Sequence, residues 1–115
     1  MQNLDQIRAA AALEPAKELD RSAISKLPGL ILTNGLLAAA AFCDAEGGGD
    51  NRSHLKRAMT ATAKHLAALG LARNGSGDIK LLIKDLSERD ALNLRRATTE
   101  SLAYLAYLKR FAVKD

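Results

Sequence analysis

The 115 residues, 48% of them apolar, are expected to fold as one domain over residues 1–115 with a real core, and the lone Cys43 excludes an internal disulfide. Two Tyr, two Phe and no Trp leave the apolar mass to Leu, Ala and Ile, which disfavours a β-sandwich; the expected class is all-α, a compact bundle of about five helices. The net charge of +4 divides into −3 over residues 1–51 and +7 over residues 52–115, a balance that points to a polyanion on one side and a protein neighbour on the other.

The first predicted helix runs from near Asn3 to Leu19, with Leu4, Ile7, Ala11 and Ala12 at helical spacing. Pro15 removes a backbone donor and should kink or end it near Glu14. Ser22 and Ser25 are candidate caps for the next helix. Pro28 then places a second helix reaching about Asp44. Leu30, Ile31, Leu32, Leu36, Leu37 and Phe42 surround its axis, so it must be covered all round, as the central helix or as one shared with a neighbour. Asn34 on such a helix is expected to bond a backbone group or a neighbour. The run from Leu27 to Cys43 falls short of the ~20 residues a membrane span needs, and the N-terminus, with Asp5, lacks a signal layout. The expectation is a cytoplasmic protein without a membrane partner.

Ala45 to Asp50 reads as a loop without the companions of a phosphate-binding loop. Asp50 or Asn51 can cap a third helix, Arg52 to Leu69, closed by Gly70, with Leu55, Met59, Thr62, Leu66 and Leu69 as its core stripe. After the loop Asn74 to Gly77, Asp78 caps a short helix from Ile79 to Leu86. Ser87 to Asp90 reads as a capping box for the last helix, Glu88 to about Val113.

Catalytic and metal constellations find no support. His54 and His65 stand ~16 Å apart along one helix, too far to share an ion, and no Glu-x-x-His pair occurs. No cofactor, metal or catalytic residue is expected, and the chain is not read as an enzyme.

The last helix is more informative. Its inner side carries Leu94, Ala97, Ser101, Tyr104, Leu105, Leu108 and Ala112. Its outer side gathers Arg95, Arg96, Thr99, Arg110 and Lys114, opposed only by Glu100. Cations at ~5–6 Å spacing along a helix face can meet successive phosphates. Arg52, Lys56, Arg57 and Lys64 on the third helix add to this set. The eight cations are the candidate nucleic-acid-backbone contacts. Too few aromatics are present for a base-stacking platform, so contact without sequence preference is expected.

Two blocks resemble a known family. LPGLILTNGLLAAAAF, residues 27–42, is similar to an apolar helix of the small subunit of the type III-B CRISPR effector, the Cmr complex. RRATTESLAYLAYLKRFA, residues 95–112, resembles that family's C-terminal helix through Ala97, Thr98, Tyr104, Leu105, Tyr107, Leu108, Lys109, Arg110, Phe111 and Ala112. Tyr107 departs from the Trp of many relatives and keeps the aromatic filling. The resemblance implies a compact, all-α, non-catalytic subunit for antiviral defence. Its copies would stack head to tail beside the repeating backbone subunit and line the channel where guide RNA pairs with target RNA. Target cleavage would belong to the backbone subunit. The alternatives are the small subunit of the type III-A complex, or a helical protein-interaction module without nucleic acid.

Overall fold

The structure is a computed structural model and describes residues 2–45, 50–73 and 77–113. It is all-α: seven helical segments and no strand among the described residues. These are α1 (Leu4–Ala16), α2 (Arg21–Ile24), α3 (Leu27–Asn34), α4 (Leu36–Asp44), α5 (Asp50–Ala68), α6 (Ile79–Glu88) and α7 (Ala91–Phe111). No helix among the described residues is long and apolar enough to cross a membrane.

Helix α1 starts at a capping box in which Asn3 and Gln6 exchange side-chain-to-backbone hydrogen bonds of 2.8 Å. It ends at Ala16, one residue past Pro15. Proline has no N–H to give the carbonyl of Ala11, and that oxygen instead accepts the Tyr104 hydroxyl at 2.9 Å. The missing donor thus becomes a tie between α1 and α7.

Segment 20–26 holds the extra turn α2, which was not expected. Its cap is Asp20, which accepts from the Ser22 N–H at 3.1 Å, and the helix the serines were expected to cap, α3, starts instead after Lys26 with no side-chain cap bond. The apolar helix expected to run unbroken to Asp44 is divided at Gly35, whose φ of 92° and ψ of 160° suit glycine alone. Gly35 donates to the Ile31 carbonyl at 2.8 Å to finish α3, and its own carbonyl accepts from Ala39 to begin α4. Because no atom lies within 4 Å of a Cβ built at Gly35, the strain of substitution there is purely backbone. Gly35→Ala is expected to cost about 1–3 kcal/mol in urea unfolding, and Gly29→Ala, at an ordinary helical position, nothing or a slight gain. Equal stability of the two variants would mean the break is not enforced by residue 35.

Helix α5 closes as expected. Gly70 at φ 78° donates to Ala67, and Leu71 donates to Leu66 at 2.9 Å, a Schellman end. The expected caps Asp50 and Asn51 have side chains outside the described set. Asp78 caps α6 through Lys80 and Leu81. The start of α7 differs from the reading of Ser87 as its cap. Asp90 is the cap and accepts from Asn93 at 2.8 Å, while Ser87 turns back to the Lys84 carbonyl. Helix α7 therefore begins at Ala91.

The hub is α5, which packs on α1, α2, α4, α6 and α7. Ile24, Leu27, Ile31, Leu36, Met59, Leu66, Leu86, Leu105 and Leu108 interlock around it, each almost wholly buried. Cys43 belongs to this core, and burial pushes its thiol up to about 11. The segment after α7 is tied to the α1–α2 connection: Val113 donates to the Leu19 carbonyl at 3.0 Å and accepts from Arg21 at 3.2 Å.

Candidate nucleic-acid interface

Two faces of α7 carry opposite duties. Inward, Ala97, Glu100, Ser101, Tyr104, Leu105 and Leu108 are buried. Glu100 was expected outside, opposing the cations. It lies instead 5% exposed between α1, α5 and α7. Arg8 donates to both of its oxygens at 2.7 Å, and His65 Nε2 meets Oε2 at 2.8 Å. With the carboxylate ionised by Arg8, that contact requires a proton on His65 Nε2, while Nδ1 is buried without a partner among the described residues. The His65 ring stacks on Tyr104 at 4.3 Å and 13°. Burial pushes the Glu100 carboxyl up, but the hydrogen bonds from Arg8 and then His65 outweigh it and hold the group below its ordinary range. Burial alone drives the Tyr104 phenol well upward.

Outward, Arg95, Arg96, Thr99, Ala106, Lys109 and Arg110 are exposed. None of the four cations forms an ion pair among the described residues, in contrast to Arg8, Lys17, Lys56, Arg73 and Arg89. With Glu100 turned inward, no acid remains on this stripe. Arg95 to Arg110 spans ~22 Å of helix. Lys109 was absent from the candidate set, although its spacing puts it beside Arg110. Arg21 was absent too. Its guanidinium donates to the carbonyls of Lys109 and Arg110 at 3.1 Å each and of Ala112 at 3.3 Å, capping the negative end of α7. Arg21, Lys109 and Arg110 thereby border one hollow of about 390 Å³. No local signal ties residue 21 to residue 109. Lys114 lies outside the described residues.

The four candidates on α5 do not join this stripe. Helices α5 and α7 meet at His65 and Glu100, and none of the four borders the hollow that Arg21, Lys109 and Arg110 share. Nor do the four act together. Arg52 lies over the Phe42 ring, 4.1 Å from its centroid, and donates to the Phe42 carbonyl. Lys56 faces Asp44 at 3.8 Å. Arg57 and Lys64 border a groove with Pro15 and Glu18, the Lys64 stem packing against Gly77.

His54 and His65 serve separate partners: His54 Nδ1 accepts from the Asp20 N–H at 3.2 Å. No three His, Cys, Asp or Glu side chains converge among the described residues. A hollow of about 590 Å³ is mostly apolar and opens between α3, α4 and the start of α5. Asn34 lines it, and its side chain bonds to no other described residue, contrary to expectation.

A family model described as CRISPR-associated protein (Cas_Cmr5) matches residues 3–114. No curated protein and no solved structure matches the chain.

Proposed function

We propose, from the premise that this chain belongs to the Cas_Cmr5 family of CRISPR-associated proteins, that it is the non-catalytic small subunit of a type III-B Cmr effector and lies along the RNA backbone. Membership makes it a subunit of a Cmr complex; the role within that complex is our reading. The observation that carries it is the α7 stripe: Arg95, Arg96, Lys109 and Arg110, exposed and free of ion pairs among the described residues. Unpaired surface cations lose no partner when they meet a phosphate, and the counterions released from the RNA drive the contact. Their arrangement reads charge and not bases, which suits a subunit that must accept any target paired to the guide.

In this reading the chain is one cytoplasmic domain. Copies stack head to tail beside the repeating backbone subunit, with α7 facing the guide–target channel. Chemistry on the target is left to other subunits. The Arg8–Glu100–His65 cluster supports that division, because its polar groups are engaged in holding three helices together.

A photo-reactive residue at Ala106, exposed between the two cationic ends of α7, tests the placement. In the assembled complex it is expected to cross-link target RNA, whereas the same group at Leu81 on α6 is not. Cross-links from position 106 to protein alone would overturn the assignment of α7 to RNA.

A further inference from the structure

The residues of α3 and α4 form a helix pair that is apolar on nearly every side. The fold covers only part of it. Leu27, Ile31, Leu36, Ala39, Ala40 and Cys43 are buried, but Leu32 is 73% exposed and Phe42 42%. Phe42 borders the 590 Å³ hollow, which is also walled by Ala23, Leu30 and Leu55. Two cations stand at its edge. Lys26 is exposed, and Arg52 is held over Phe42. Such a site selects an apolar tip flanked by carboxylates.

Among the described residues, one exposed apolar side chain offers such a tip. Leu81 sits between Lys80 and Lys84, and Leu92 precedes Arg95 and Arg96 by one turn. Leu4 adjoins Asp5, which already accepts from Tyr107, and Val113 is tied to Leu19 and Arg21. Leu13 differs. It is 53% exposed, Glu14 follows it with a side chain 82% exposed, and Glu18 is exposed nearby. The Glu14–Lys17 pair at the surface is worth little and gives way readily.

We propose that the α3–α4 hollow of one copy receives Leu13 of a second copy, with Glu14 and Glu18 facing Lys26 and Arg52. The two patches lie on different elements, since α1 packs on α5 and α7 while the hollow belongs to α2 through α5. Each copy therefore gives one patch and takes one, a heterologous contact that can repeat from copy to copy. The inference rests on the stacking part of the proposed function and supplies its surfaces; it does not rest on RNA.

Sedimentation velocity on the purified chain, up to millimolar concentration, tests it. Wild type is expected to self-associate. Leu13→Glu and Lys26→Glu, both at exposed positions, are each expected to weaken association about tenfold or more while keeping the helical circular dichroism. Mixing the two variants should restore one junction, intact Leu13 from one and intact hollow from the other, and yield dimers but no longer chains. Combining Lys26→Glu with Glu14→Lys and Glu18→Lys should recover association. A wild type that stays monomeric throughout overturns both this junction and self-driven stacking. Association unchanged in both variants overturns the junction and leaves stacking standing. Loss in Lys26→Glu alone would put a different segment in the hollow and overturns the choice of Leu13.

Discussion

Glu100→Ala is expected to destabilise the fold by about 3–5 kcal/mol, the scale of breaking a buried pair and stranding its partner. Removing the carboxylate leaves Arg8 without its acceptor and His65 with neither ring nitrogen satisfied. Glu100→Gln keeps the shape and one acceptor oxygen, so its loss should be smaller. The double variant Arg8→Met with Glu100→Leu, which removes both charges, should recover much of the stability. Urea unfolding followed by circular dichroism reads all three; a Glu100→Ala loss under about 1 kcal/mol would mean that the cluster is solvated rather than buried.

The same group sets a pH dependence whose sign comes from linkage. The folded Glu100 lies below its ordinary value of 4.5, so the unfolded chain binds the proton more readily. The stabilisation is fully present above that ordinary value and is lost as pH falls through the folded one. Wild type and Glu100→Gln should therefore differ most near neutral pH and converge in acid. A gap of constant size down to the acid limit would show that Glu100 carries no such linkage.

The second large effect concerns RNA. Reversing Arg96, Lys109 and Arg110 together to Glu is expected to weaken target-RNA retention in the assembled complex about tenfold or more near 0.15 M salt, and to flatten the salt dependence. Each cation that no longer meets a single-strand phosphate should lower the log–log salt slope by about 0.7. Lys84→Glu, an exposed reversal on α6, serves as the charge control and should leave the slope unchanged. Arg21 is kept out of this set because its guanidinium caps α7, and its removal would confound folding with binding. If the triple reversal and Lys84→Glu behave alike, the stripe on α7 is a solvated surface and not an RNA contact.

Local chemistry was readable wherever the deciding partner sits within a few residues. Composition set the all-α class; Gly70 and Asp78 announced a helix end and a helix start, and both hold in the structure. Spacing on α7 put Arg95, Arg96 and Arg110 outside and Tyr104, Leu105 and Leu108 inside. The resemblance of the blocks 27–42 and 95–112 led to the family whose model spans residues 3–114. Even local reading had limits. Ser87 looked like a cap, but Asp90 took the role, because either side chain can serve and the path of the chain between α6 and α7 chooses. Gly35 was visible, but the apolar run on both sides of it favoured an unbroken helix.

Tertiary structure decided the rest, because those partners are distant in sequence. The sequence reading put Glu100 on the outer side of α7; only Arg8, 92 residues away, makes an inward carboxylate tolerable in the core. The α7 stripe became free of acid for that reason. Arg52 was one more cation among many until Phe42 came beneath it, and none of the four α5 cations borders the hollow that Arg21, Lys109 and Arg110 share. A sequence states which side of each helix is greasy and which is charged; the order in which helices cover one another determines which charges meet solvent together.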